Sequence, residues 1–275
     1  MNKVIIDSKN RSLGINLREL FKFRDLFMVL AYRDYRIRYA QTYLGFLWAI
    51  IQPLATLLVL VLVFNKAAGI KTGTVPYPLF AACGMAVWTY FSYVLSQAGG
   101  SIIASQSMIQ KIYFPRLIIP FSKALVGVID FLISFALIII LMLVYRYSLS
   151  WTIVYLPLYF LAIILTALSI GVLFSAITVR YRDFQHIIPF IVQFGLYITP
   201  VAYPADLVVK RIPTWASMIY YLNPMAGVTE GFRFSLLGTD PPSLLSYISF
   251  AVVIVLFISS LLYFNRTEKI MADLV

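Results

Sequence analysis

Residue types that do chemistry are sparse in this sequence, and their spacing argues against most reactions. His186 is the single histidine, Asp183 is the acid near it, and Cys83 is the single cysteine. A metal site needs three or four such ligands gathered together, so none is expected. A transferase acting at a membrane surface would need a cluster of acids or histidines, and Asp183 with His186 is the only such pair. Cys83 has no partner for an internal disulfide. The phosphate-binding signature GxxxxGK(S/T) is absent, because Gly69/Gly73 and Gly99/Gly100 lack its lysine and its preceding strand. ATP hydrolysis by that route does not belong to this chain. Asp130 lies near the middle of an apolar run, where an ionised carboxylate costs about 2.5–3.5 kcal/mol on insertion scales. Lys123 lies on the same face but roughly 10 Å away along a helix axis, too far for direct pairing. Asp130 therefore either bonds to a neighbouring helix or serves a transport pathway, and one acid is thin support for a proton relay.

Aromatic residues form the richer pattern. Tyr39, Tyr43 and Phe46 advance by steps of three and four residues toward the first apolar block. Phe190, Phe194 and Tyr197 do the same in the fifth, and Trp88 and Phe91 mark the second. Such rings suit the headgroup region as an interface belt. They equally suit a slide on which sugar rings stack by their C–H faces while hydroxyls bond to the polar tips.

The elements that must carry these residues follow from composition. Of 275 residues, 61% are hydrophobic and 12% charged, with mean hydropathy +0.89. A soluble fold of this size cannot bury so much apolar surface. The apolar blocks match the ~20 residues a helix needs to cross ~30 Å of hydrocarbon. Runs such as LATLLVLVLVF lack the alternation of barrel strands, which decides for helices. The expected fold is an all-α integral membrane protein. Its six transmembrane helices fall near 44–65, 78–100, 118–145, 152–178, 186–200 and 243–264. The organisation expected is a cytoplasmic tail with an amphipathic interface helix over 1–43, a transmembrane domain over 44–264 with an outer helical segment at 201–242, and a cytoplasmic tail over 265–275. No cleavable signal is read at the start, so the first span is expected to act as the insertion signal.

Basic residues orient the chain. Lys3, Lys9, Arg11, Arg18, Lys22, Arg24, Arg33, Arg36 and Arg38 precede the first span, and Lys111, Arg116, Arg180, Arg182, Arg266 and Lys269 fall on the same side. Lys66, Lys71, Arg146, Lys210, Arg211 and Arg233 fall opposite. The imbalance places both ends in the cytoplasm by the positive-inside rule. The net charge of +11 is then explained by topology and anionic lipid rather than nucleic acid.

Within this frame, residues 17–40 read as a helix lying on the membrane, with Leu20, Phe23, Phe27, Leu30 and Ala31 on its apolar side and Asp34 and Arg38 interrupting it. It serves as an anchor, as a platform for a soluble partner, or both. In the outer segment Pro213 opens one short helix. Asn223-Pro224 opens a second that stops at Gly238. This pair either covers a pathway mouth as a half-inserted element or simply caps the bundle. Ala167, Gly171 and Ser175 form a small-residue ridge for close helix packing. Pro53 bends the first span.

Four segments in register, RDYRIRYAQTYLGFLWAIIQPL, SMIQKIYFPRLIIP, VRYRDFQHIIPFIVQFGLYITPVAYP and YLNPMAGVTEGFR, resemble the membrane (permease) subunit of ABC-type exporters of lipid-linked polysaccharides, the group exporting O-antigen, capsule and teichoic acid. The resemblance covers about residues 30 to 240. It implies a homodimer in the cytoplasmic (inner) membrane, docked on two copies of a separate ATP-binding subunit that carries ATP and magnesium. This chain would have no catalytic residue and no cofactor of its own. Ser107, Lys111, Phe114, Pro115 and Arg116 would form the ATPase-coupling element. The outer helices would guard the exit, and Tyr39, Tyr43, Phe46, Trp88, Phe91, Phe190, Phe194 and Tyr197 would line the substrate channel. A small-molecule exporter of the same superfamily would share the topology.

Overall fold

A computed structural model describes residues 17–39 and 47–274. Tyr43, Phe46, the basic residues Lys3, Lys9 and Arg11, and residues 44–46 of the expected first span lie outside the described residues. Among those described, every regular element is helical. In chain order they are α1 (Leu17–Lys22), α2 (Arg24–Tyr39), α3 (Trp48–Leu60), α4 (Tyr77–Gly99), α5 (Ser101–Ala104), α6 (Gln106–Ile109), α7 (Ile118–Val144), α8 (Leu156–Arg180), α9 (Phe184–Ile198), α10 (Asp206–Val209), α11 (Thr214–Tyr221), α12 (Pro224–Leu237) and α13 (Ser246–Leu274). A wider helical turn over Val61–Ala67 extends α3, and a 3-10 turn over Trp151–Tyr155 leads into α8.

Five helices have the length and hydropathy of membrane spans: Trp48–Ala67, Tyr77–Gly99, Ile118–Val144, Trp151–Arg180 and Ser246–Glu268. The remaining expected crossing, the fifth in chain order at 186–200, is the 15-residue α9. At 1.5 Å per residue it is about 22 Å long, short of the ~30 Å hydrocarbon core. Its ends are set chemically. The charged Arg180, Arg182 and Asp183 precede it, and Thr199, forced out of helical conformation by Pro200, takes ψ 142° at its end.

The core is built around α4, which packs against α7 and α8, while α8 packs against α13. In its span window 78% of residues are buried, against 11% in the first span and 28% in the last. The first and last spans thus present most of their apolar surface outward. The small-residue ridge works as packing: a Cβ at Gly171 would meet Ala98 Cβ at 3.0 Å, and Thr178 donates to the Gly99 carbonyl at 2.8 Å. Beneath it Phe131 is the hub of an aromatic cluster, stacked on Phe160 at 4.6 Å and edge-on to Phe232 at 5.7 Å and Tyr90 at 6.0 Å.

The outer helices form as the capping chemistry requires. The Asn223 side chain accepts from the Met225 N–H at 3.0 Å, Pro224 fills the first turn, and Gly238 ends α12 in left-handed conformation at φ 61°. The packing exceeds the half-inserted stripe read from the sequence. Residues all around α12 are buried against α4, α8 and α13, including Gly227, Val228, Gly231, Phe232 and Leu236.

Candidate functional site: an aromatic row, a coupling loop and a pinned outer segment

The three aromatic residues of α9 stand out from the bundle, with Phe190, Phe194 and Tyr197 at 60%, 58% and 61% exposure. One helical turn apart, the Phe190 and Phe194 rings lie 6.3 Å apart and within 4° of parallel. Trp88 and Phe91 are placed differently. They are 7% and 2% exposed, inside the bundle, with ring centroids 5.2 Å apart. Trp88 lies behind the α9 row: a Cβ at Gly195 would stand 2.6 Å from Trp88 Cη2, so only glycine lets α9 seat on the indole. Tyr39 is also turned away from the row, toward α7.

There it meets Asp130. The Tyr39 hydroxyl donates to one carboxylate oxygen, and Arg38 Nη2 lies 2.7 Å from the other. Arg38 also stacks over the Tyr93 ring of α4 at 4.2 Å. One turn earlier on α2, Asp34 pairs with Lys123 Nζ at 2.6 Å. The two residues that interrupt the apolar side of α2 therefore answer the two charges of α7. Lys123 does not pair with Asp130, as the axial distance required. Burial, then the Asp130 carboxylate, holds the Tyr39 phenol well above its ordinary pKa, which keeps it a donor. The remainder of the α1–α2 apolar side, Leu20, Phe23, Phe27, Leu30 and Ala31, read from the sequence as the side of a helix lying on the membrane, is instead turned toward the protein core.

The loop between α6 and α7 divides into a tip and an anchor. Ser107 and Lys111 are exposed, as are Ile112 at 56% and Tyr113 at 53%, whereas Phe114 is buried and Pro115 and Arg116 are half-buried. Arg116 is held by the far end of the chain: its N–H donates to the Glu268 carboxylate at 3.2 Å and its Nη1 to the Glu268 carbonyl at 2.7 Å. On the other side the Tyr113 hydroxyl donates to Glu19 of α1 at 3.4 Å. Ile112, Tyr113 and Glu268 escaped the sequence reading. Ile112 and Tyr113 resemble any apolar pair, and no local signal connects Glu268 to a loop 152 positions away.

In the outer segment Arg233, counted from the sequence only among the outer-side charges, is 3% exposed and the most heavily bonded side chain of the region. Its guanidinium donates to the Phe80 carbonyl at 3.1 Å, to Pro200 at 2.5 Å and to Val201 at 2.6 Å, and lies 3.5 Å from the centre of the Phe80 ring. Gly84 makes the room, since a Cβ there would stand 2.3 Å from the Nη2. Burial lowers the Arg233 pKa to about 10, which still leaves it charged at neutral pH. Three residues earlier, Glu230 accepts from the Tyr221 hydroxyl at 2.9 Å, and burial raises its pKa to about 7. These bonds tie α12 to α4, to α11 and to the segment leaving α9. Among the described residues, no group of three His, Cys, Asp or Glu gathers as metal ligands.

The model of the ABC-2 type transporter family matches residues 25–237, from the start of α2 to the end of α12. The chain belongs to the ABC-2 type transporter family. Relatives within reach of the whole chain include the O-antigen export system permease protein RfbA of Myxococcus xanthus, 27% identical over 92% of this chain and 96% of that protein. A Klebsiella pneumoniae protein of the same name is 28% identical over 94% and 97%. The polysialic acid transport protein KpsM of Escherichia coli is 25% identical over 88% and 93%. The resemblance read from the four segments is thus confirmed at family level. The aromatic row, the loop between α6 and α7 and the Arg233 pin of this ABC-2 transporter all fall inside the matched region, while the Glu268 anchor lies beyond it.

Proposed function

We propose that this chain is the transmembrane subunit of an ATP-driven exporter that moves lipid-linked polysaccharide out across the cytoplasmic membrane. Family membership and full-length similarity to export permeases for O-antigen and polysialic acid support a polysaccharide over a small-molecule cargo. The observation that carries the reading is the exposed row of Phe190, Phe194 and Tyr197 on a helix too short to span alone. A conduit between two subunits would use that row and would cover the bare faces of the first and last spans. In this reading α9 supplies the fifth of six crossings, both chain ends are cytoplasmic, and Tyr43 and Phe46 join the lining. Trp88 and Phe91 serve the conduit from behind, by seating α9. The short helices α10 and α11, with α12, form the outer gate.

ATP and magnesium are assigned to two copies of a separate ATP-binding subunit. It docks on the loop tip at Ser107, Lys111, Ile112 and Tyr113, while Phe114, Pro115 and Arg116 transmit its motion. A polymer too long to be enclosed cannot be carried in one alternating-access cycle. Repeated shallow contacts along the row allow it to slide, and the ATPase supplies direction.

Deleting the chain is expected to strip surface polysaccharide without sensitising cells to drugs; the reverse pattern would favour the small-molecule exporter. The triple change of Phe190, Phe194 and Tyr197 to Ala is expected to lower export about tenfold at unchanged protein level. Exposed positions contribute within about 0.5 kcal/mol to stability, so the loss would report on transport rather than folding. Unchanged export in that variant would sink the slide.

A further inference from the structure

The charges shared by α2 and α7 form a ladder of crossed polarity. From α2 come Asp34 and then Arg38; from α7 come Lys123 and then Asp130. The spacing of four puts the first two on one face of α2, and the spacing of seven does the same on α7. The rungs are about 6 Å apart along α2 and about 10 Å apart along α7, a mismatch absorbed by the long Lys123 and Arg38 side chains. A slip of one helix along the other, about 5.4 Å per turn, would carry Arg38 toward Lys123 or Asp34 toward Asp130. Like charges would then meet at half-buried or buried positions, so the ladder permits a single register. The upper rung is reinforced by the Tyr39 hydroxyl and by Arg38 stacked on Tyr93 of α4. At the opposite end, Glu19 of α1 receives the Tyr113 hydroxyl of the loop tip.

We propose that α1 and α2 are a strut. They bind the coupling-loop tip to the middle of α7 and to α4, so that tip, strut and these two helices move as one body. Arg38, Tyr39 and Asp130 are its positioning residues. This explains an acid inside a span without giving it a proton to carry, and it rests on the export reading only for its consequence. Without the strut, motion of the tip reaches the bundle only through the Phe114–Arg116 stretch, with Phe114 in the core and Arg116 bonded to Glu268 of α13, and the direct tie of the tip to the middle of α7 and to α4 is lost.

The test uses the full chain co-purified with its ATP-binding partner. Arg38→Gln and Asp130→Asn are each expected to lower export at least tenfold while the complex stays intact and ATP hydrolysis stays within twofold. The exchange Arg38→Asp with Asp130→Arg is expected to recover at least a third of export. Tyr39→Phe, which removes one hydroxyl and keeps the ring, is expected to lower export about threefold even if the exchange fails to fold. Full export in Tyr39→Phe and in both single variants overturns the strut.

A cargo-independent arm places spin labels at Gln110→Cys, exposed at the base of the tip and outside the docking residues, and at Ile37→Cys, 62% exposed. Their separation is expected to hold within about 2 Å between nucleotide-free and nucleotide-trapped complexes, and to change in Asp130→Asn. A separation that shifts in the unmodified ladder overturns the strut whatever is exported. Unaltered surface glycan on deletion of the chain overturns the export reading instead, and the spin-label distances still decide the strut.

Discussion

Replacing Arg233 with Met removes a guanidinium that holds three backbone carbonyls in a site that is 3% exposed. The Phe80 carbonyl lies inside α4 and keeps its helical donor. The Pro200 and Val201 carbonyls lie beyond the end of α9, and among the described residues no backbone N–H bonds to either. Two buried acceptors left unsatisfied cost about 1–3 kcal/mol each, so the loss should be about 4 kcal/mol. For a chain of this size about 2–4 °C is lost per kcal/mol, which gives a fall in Tm of roughly 8–16 °C. Fluorescence-detected size-exclusion after heating, in detergent, measures it. Arg233→Lys keeps the charge but loses the planar fork that reaches three oxygens, and should fall between the two. Gly84→Ala reaches the same bonds from α4, by pushing a methyl group against the guanidinium, and should lower Tm in the same direction. An Arg233→Met protein melting within about 2 °C of the unmodified chain would refute the pin.

Two further outcomes are expected. Because the Glu230 pKa is raised to about 7 by burial, the folded outer segment holds a proton that the unfolded chain releases near pH 4.5. Stability should therefore be fully present at low pH and decline as pH rises from about 5 through 7; Glu230→Gln, whose amide oxygen still accepts from Tyr221, should flatten the Tm-against-pH curve between pH 5 and 8. Gly195→Ala drives a methyl group to within 2.6 Å of Trp88 and should lower stability by about 1–3 kcal/mol, whereas Gly195→Ala in a Trp88→Leu background should lower it less, a double-mutant cycle read by thermal melting.

Much of the architecture was legible because its signals are local. Apolar length set the five long spans within a few residues. Asn223-Pro224 and Gly238 bounded α12 correctly, since an N-cap, a first-turn proline and a left-handed glycine each act within one turn. The ridge at Gly171 was readable as packing for the same reason. The expected fifth span at 186–200 falls two residues from α9 at each end and has its length. The hydropathy of α9 is that of a span, but the charged residues before it and Pro200 after it leave room for only 15 residues. Among the aromatics, period alone could not separate Phe190 from Trp88. A ring one or two turns long on any apolar helix gives the same pattern whether it faces outward or inward.

Sequence by itself determined that this chain is a helical membrane protein with no phosphate-binding signature, and that Asp130 either bonds to a neighbouring helix or serves a pathway. It did so because hydrocarbon imposes a length on each helix and a penalty on each unpaired charge. Only the tertiary structure decided which partner answers each charge. Asp130 went to Arg38 and Tyr39, Lys123 to Asp34, Arg233 to three carbonyls and Arg116 to Glu268. Those pairings depend on helix register and crossing in three dimensions, and residues separated by 32 to 153 positions carry no shared local pattern from which to read them.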